Sequence, residues 1–330
     1  MVRIKKVPDV ESALALVSRI SEATKPLDVD LSEIDFVPPG PALLLSSTLR
    51  RTEMRPIIND TAGGFSYAAH IGFFDACGIP NVGKRMGEAS GSRGYSPIRY
   101  LEIEGINRDA RKQGNTVPEF LQIKGENLAR LLTQGANPQV LRVVRYAMRE
   151  ILRNCVEHSK STALWYSGQY WDSQHMVEVA VLDEGVGMLA TLNRNAGELV
   201  GITDEELAIR MALLPAVSGV PEKQRKGYWA NSGFGLYVTR KICTRGAGSF
   251  GVVSNSAAII LGENGENKLK SAFQGTLIQM RLDTSKLDQL NGAFAEDIAR
   301  EGEAEAEART GKKSPASSGS RSVVVNVSRK

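Results

Sequence analysis

Glu150, Asn154 and His158 stand four residues apart in Glu150-Ile151-Leu152-Arg153-Asn154-Cys155-Val156-Glu157-His158. At 3.6 residues per turn that spacing sets them along one stripe of a helix. Apolar Ile151, Leu152 and Cys155 lie beside the stripe. A carboxylate and a carboxamide one turn apart can offer oxygens to a magnesium ion or to a polarised water. A solvated polar face is the other reading, and this stretch alone leaves both open.

Three later stretches carry chemistry of their own. In Asp183-Glu184-Gly185-Val186-Gly187-Met188 an acid ends a strand and two glycines follow, so the backbone can turn sharply against a ligand. The carboxylate can accept a hydrogen bond from an exocyclic amine, although a strand-end turn with a capping Asp gives the same pattern. In Asn231-Ser232-Gly233-Phe234-Gly235-Leu236-Tyr237, glycines precede a helix over 238–244. Exposed N–H groups at such a start favour phosphate; tight packing is the alternative reason for the glycines. Finally, Gln274-Gly275-Thr276-Leu277-Ile278-Gln279-Met280-Arg281-Leu282 alternates as a strand beginning with Gly-Thr.

Several elements must position these groups. The stripe belongs to a helix expected over 137–159, and strands over Ala163–Trp171 and Met176–Asp183 form a hairpin that delivers Asp183. Thr203-Asp204-Glu205-Glu206 makes a capping box for a helix over 204–214 with Leu207, Met211 and Leu214 inward. The loop over 218–227 is basic, and Lys223, Arg225 and Lys226 are candidates to reach a terminal phosphate, a solvated charge run being the alternative.

Upstream, a helix is expected over 9–23, capped by Asp9 or Ser12, with Val10, Leu14, Val17 and Ile20 on one side. A strand follows over 30–36, halted by Pro38-Pro39-Gly40-Pro41, and a helix resumes over 42–50. Further strands are expected at 56–59 and 98–104, and helices at 67–77 and 119–134. This alternation argues a small α/β domain over 1–135. The Gly- and cation-rich loop over 83–94 could touch phosphate, but it lacks P-loop spacing, and a mobile surface loop is the favoured reading.

The chain has 330 residues, 42% of them hydrophobic, which suffices for about two domains with proper cores. A net charge of +4 does not announce a nucleic-acid binder. The absence of a long apolar run disfavours a membrane span, and a start without a secretory core points to the cytoplasm. The three cysteines, Cys77, Cys155 and Cys243, are scattered, which indicates neither a disulfide framework nor a zinc site.

Taken in order, the four stretches resemble the Bergerat-fold (GHKL) ATPases, the superfamily of sensor histidine kinases, anti-sigma serine kinases, DNA gyrase, mismatch-repair ATPases and the heat-shock chaperone class. The family's N box looks like Glu150-x-x-x-Asn154-x-x-x-His158, and its first glycine box like Asp183-x-Gly185-x-Gly187. Its second glycine box looks like Gly233-x-Gly235-Leu236, and its last strand like Gly275-Thr276. The resemblance implies an α/β sandwich with a mixed sheet over 136–285, with an ATP lid at about 189–232. It implies that Asn154 ligates Mg²⁺, that Asp183 accepts the adenine amine with Thr276 beside the base, and that Gly185 and Gly187 let the chain pass close to it. Gly233, Gly235 and the Leu236 N–H would receive phosphate oxygens. Glu150 would polarise a water or hydroxyl, and His158 would be a hydrogen-bonding N-box residue near phosphate.

The expected function is Mg²⁺-dependent ATP binding with slow hydrolysis, used as a conformational switch that signals to a protein partner. The alternatives are a serine/threonine kinase of the anti-sigma type and a nucleotide-gated module without turnover. A homodimer is a further expectation. Histidine autophosphorylation is disfavoured, because none of His70, His158 and His175 is followed by an acid. The segment 29–49 resembles a STAS-type domain, the class of partner on which anti-sigma kinases act. In the tail, 286–309 is acidic and expected to be helical, 310–320 is expected to be a disordered linker, and 323–327 could add as a strand to a partner's sheet.

Overall fold

In the computed structural model the described residues are 1–58, 67–82, 94–133, 138–194, 201–219, 232–287 and 294–317. Asp9 opens the first helix, α1 (Val10–Glu22): its carboxylate accepts the Ser12 N–H at 2.8 Å. Val10, Ala13, Leu14, Val17 and Ile20 are buried, which is the face that the periodicity marks. Strands β1 (Val2–Arg3), β2 (Leu27–Asp30) and β3 (Met54–Ile57) form a parallel sheet in the order β1-β2-β3.

Helix α2 (Pro39–Arg50) lies between β2 and β3 in sequence and corrects two expectations. The strand expected at 30–36 ends at Asp30, and the proline run starts the helix instead of merely stopping the strand. Proline tolerates the first helical turn because its missing N–H has no intrahelical partner there. The helix expected over 67–77 is two short ones, α3 (Tyr67–His70) and α4 (Phe73–Ala76), parted at Gly72.

The rest builds a seven-stranded sheet. It comprises β4 (Tyr95–Glu102), α5 (Ile103–Lys112), α6 (Val117–Thr133), α7 (Pro138–His158), β5 (Ala163–Trp171), β6 (Met176–Asp183), α8 (Gly187–Asn193) and α9 (Glu205–Ala212). Then come α10 (Gly235–Arg245), β7 (Ser249–Ser254), β8 (Ala257–Gly262), β9 (Gly265–Lys270), β10 (Thr276–Asp283), α11 (Thr284–Leu287) and α12 (Phe294–Thr310). The order β4-β5-β6-β10-β7-β8-β9 is antiparallel at every neighbour. The expected mixed sheet is therefore corrected: tight hairpins reverse the chain at β5–β6, β7–β8 and β8–β9, and among the described residues parallel pairing is confined to the small sheet. The architecture is mixed α/β, with one large antiparallel and one small parallel sheet. Strand β4, on the N-terminal side of residue 135, pairs with β5 and so belongs to the large sheet.

Both faces of that sheet are covered. Val179 and Val181 of β6 and Ile278 and Met280 of β10 join the core beneath α7 and α10, while Ala180, Leu182 and Leu277 join the core that includes α1 and α2. Two-sided burial explains why β6 lacks the apolar–polar alternation of a half-exposed strand. Among its buried polar residues is Glu178, 1% exposed, whose carboxylate accepts the Gly40 N–H at 3.1 Å and the Gln279 amide at 2.7 Å. Burial pushes this carboxyl up, against the opposing pull of Arg281.

Glu178 thus sits at the N-terminal end of α2, where a carboxylate is favoured. At the other end, Ser47 donates to Glu184 at 2.6 Å and Arg50 pairs with the same carboxylate. The expected result of Glu178→Ala is a loss of about 2–4 kcal/mol in urea unfolding, from a cavity and an orphaned Gly40 N–H. Glu178→Gln, which keeps an acceptor, should stay within about 1 kcal/mol of the parent. Equal losses in both variants would contradict this account of α2 docking.

Among the described residues no helix is long and apolar enough to cross a membrane. The described part of the acidic segment beyond residue 293 is helical as expected, with α12 packed on α10, where Arg245 pairs with Glu301. The linker expectation needs correction at its described end: the Ala316 N–H donates to Glu303 at 2.7 Å and Ala316 is buried. Residues 323–327 lie outside the described residues.

Candidate functional site

Helix α7, the turn after β6, the start of α10 and the start of β10 converge on a cavity of about 80 Å³. Asn154 and His158 reach it from α7, Asp183 and Gly187 from the β6–α8 turn, Gly233, Gly235 and Leu236 from the approach to α10, and Thr276 from β10. Cys155, Met188, Leu192 and Ile278 supply apolar wall. A concave, largely apolar pocket with a few convergent polar groups is the usual form of a small-molecule site.

One end is organised by Asp183, which is 3% exposed at the last position of β6. Its Oδ1 accepts the Gly185 N–H at 2.9 Å, and the Cys155 thiol and the Thr276 N–H also bond to the carboxyl. Burial dominates and pushes the group up to about 7, with the neighbouring Glu184 charge adding to the rise and the three hydrogen bonds opposing it. Burial likewise raises the Cys155 thiol. Thr276 stands directly opposite Asp183 in the β6–β10 ladder, so sheet register puts these two polar groups together.

The other end is the start of α10. Phe234 at the N-cap makes no side-chain capping bond, and Gly233, Gly235 and Leu236 line the cavity. First-turn N–H groups and the positive end of the helix dipole suit an anion. Glu150, 8% exposed, packs against this turn: a Cβ on Gly235 would stand 2.3 Å from its Oε2. Arg149 holds the same carboxylate, with Nη2 2.6 Å from Oε1. Glu150 is thus beside the anion end but is not part of the cavity wall.

His158 lines the cavity, with Nε2 3.9 Å from Glu157 Oε2, and its carbonyl accepts Thr191 Oγ1 at 3.3 Å. Gly185 lies behind the wall, packed against the Ser159 carbonyl. Lys223, Arg225 and Lys226 lie outside the described residues.

Helix α9 begins one residue later than the capping box expects: Asp204, not Thr203, is the N-cap, its carboxylate accepting the Leu207 N–H at 2.8 Å. Its fully buried positions, however, are Glu205, Ala208 and Ile209, while Leu207, Met211 and Leu214 pack at the core's edge. The inward face is rotated because an acid is drawn inside. Glu205 accepts hydrogen bonds from Ser254 Oγ at 2.7 Å, Asn255 Nδ2 at 2.7 Å and the Leu189 N–H at 3.2 Å. Neither Ser254 nor Asn255 stands out in the sequence as a candidate. The available signal is Asn255 in a short turn between apolar strands, a position that favours left-handed backbone.

Among the described residues no group of three His, Cys, Asp or Glu is placed to hold a metal ion. The donor set therefore does not form a protein metal cage. It suits Mg²⁺ arriving with phosphates, which needs one or two protein oxygens, and Asn154 can offer one.

No protein-family model matches this chain, and no curated protein matches its sequence.

Proposed function

We propose that this chain binds ATP together with Mg²⁺ in the α7–α10 cavity, as a Bergerat-type nucleotide-binding protein. On this proposal slow hydrolysis makes it a conformational switch toward a protein partner. One observation carries the proposal: residues from four separated stretches line a single cavity, with an amine acceptor at one end, an anion-favouring helix start at the other and Asn154 on the wall. Asp183 accepts the base's exocyclic amine and Thr276 sits beside the base. Gly233, Gly235 and the Leu236 N–H receive phosphate oxygens, and Asn154 offers its carboxamide oxygen to the metal. Bound Mg²⁺ supplies neutralisation of phosphate charge. The STAS-type reading of the N-terminal segment draws support only from its small parallel sheet and helices.

Glu150 orients or activates the attacking group in the hydrolytic version. The Arg149–Glu150 ion pair favours a second version, in which ATP is held without turnover, because Arg149 already occupies Oε1 of that carboxylate. The test is to follow γ-labelled ATP with Mg²⁺, with and without lysate of the native cell. Free phosphate that disappears in Glu150→Ala while ATP binding persists is the result expected of the switch. Label on a protein would replace the switch by a serine/threonine kinase, and bound ATP whose label never moves would replace it by the module. A protein that binds no ATP would sink the proposal.

A further inference from the structure

We propose that Glu205 and Asn255 form a clasp that positions the Asp183–Gly187 turn and the start of β10 for base recognition. This role rests on the ATP-binding proposal and names residues outside its contact set. Asn255 adopts left-handed backbone, φ 41°. Its N–H donates to the Gly275 carbonyl at 3.0 Å, and its Oδ1 accepts the Gly275 N–H at 3.0 Å. Its Nδ2 donates to the Val186 carbonyl at 3.0 Å and to Glu205 Oε1 at 2.7 Å. One carboxamide therefore ties the turn after β6 to the residue preceding Thr276, and both sides of the base end hang on it.

Glu205 completes the tie. Its other oxygen accepts Ser254 Oγ and the Leu189 N–H, while Ser254 Oγ accepts the Met188 N–H at 2.8 Å. Two N–H groups at the start of α8 are thereby satisfied by side chains from β7 and α9, so the turn between Asp183 and α8 is held from outside. Gly187 leaves no slack: a Cβ there would stand 2.1 Å from Asn255 Nδ2 and 2.8 Å from Glu205 Oε1. A buried acid at 6% exposure, fully engaged by three donors, fixes geometry in a way that an apolar side chain could not. These are positioning residues: they act through Gly187, Val186 and Gly275, not on the ligand.

Asn255→Gly is the first variant, because glycine keeps left-handed backbone while deleting the carboxamide. Glu205→Gln is the second, keeping shape but turning one acceptor into a donor. Two readouts are taken on the full chain: calorimetric titration with ATP, ITP and inorganic tripolyphosphate, and hydrogen exchange at the Met188, Leu189 and Gly275 amides without nucleotide. ITP lacks the exocyclic amine and tripolyphosphate lacks the base. Expected are a loss of about tenfold in ATP affinity, a fall in ATP-over-ITP preference, tripolyphosphate binding within about twofold of the parent, and faster exchange at the three amides. Unchanged exchange in both variants overturns the clasp whatever the nucleotide does. Faster exchange with an unaltered ATP-over-ITP preference reduces the two residues to a fold brace and overturns their part in recognition. If the parent itself shows no preference for ATP, the base-binding proposal fails and takes this role with it, while the exchange data still show whether the hydrogen bonds hold.

Discussion

Asp183→Asn should make the protein more stable above pH 7 while removing most of its affinity for adenine nucleotides. In the unfolded chain the carboxyl titrates near 3.8, and in the fold burial raises it to about 7. Between those values the folded state holds a proton that the unfolded state has released. Stability therefore falls as pH rises from about 4 to about 7 and levels off beyond. The full interval corresponds to about 4 kcal/mol at 1.36 kcal/mol per tenfold step in proton affinity, an upper bound because water reaches the cavity mouth. Asparagine removes the ionisation and so removes the slope. It also replaces an acceptor oxygen by an NH₂, which on the ATP-binding proposal confronts the base's amine.

The parent's ligand affinity should follow the opposite course. A ligand that donates to the ionised carboxylate binds more tightly as pH rises, by up to about tenfold per pH step below 7, and levels off above. Adenosine is the suitable probe because it carries no phosphate to titrate. Urea unfolding of parent and variant at pH 5 and pH 8, with adenosine titrations at the same values, measures both effects. Parallel stability curves would mean that Asp183 is not titrating inside the fold. A variant that binds adenosine like the parent would remove Asp183 from the base end.

Helix α7 and the β5–β6 hairpin were legible in the sequence because each carries one long, uninterrupted signal: a stripe at i, i+4 beside apolar neighbours, and two apolar runs around a short polar turn. Asn154, Asp183, Gly233 and Thr276 were legible as candidates only through the order of their four stretches and the resemblance that order carries, each pattern alone having an ordinary structural reading, and the fold brings all four to one cavity. Helix α5 was not, because it is polar over most of its surface and buries only Ile106 and Ala110. Strands β7, β8 and β9 were not, being only six residues each, and β9 is an edge strand with mostly exposed residues. The clasp was hidden for a different reason. Glu205 and Asn255 meet only because β7 and α9 pack beside the β6 turn, and spacing along the chain carries no trace of that meeting.

Gly275→Ala should unfold the protein or lower its stability by about 4 kcal/mol or more, the range reached when side-chain strain meets a backbone that cannot move. Gly275 has φ 127°, a conformation that L side chains rarely adopt, and a Cβ there would stand 2.1 Å from the Asp183 carbonyl oxygen and 2.9 Å from Glu184 Cα. Neither neighbour can give way. The next residue, Thr276, is paired on one side with Asp183 and on the other with Ser254. Gly275 itself exchanges two hydrogen bonds with Asn255, so a displacement of β10 would break the ladder and the clasp together. The glycine before the threonine is thus required by the crossing of two strand ends, whereas on the ATP-binding proposal the threonine's hydroxyl serves the base. Thr276→Val should separate these roles, keeping parent-like urea unfolding while weakening adenosine binding. If Gly275→Ala folds with parent-like stability, the strand crossing is looser than its geometry implies. If Thr276→Val binds adenosine as tightly as the parent, the base end of the cavity lies elsewhere and Asp183 stands there without its neighbour across the sheet.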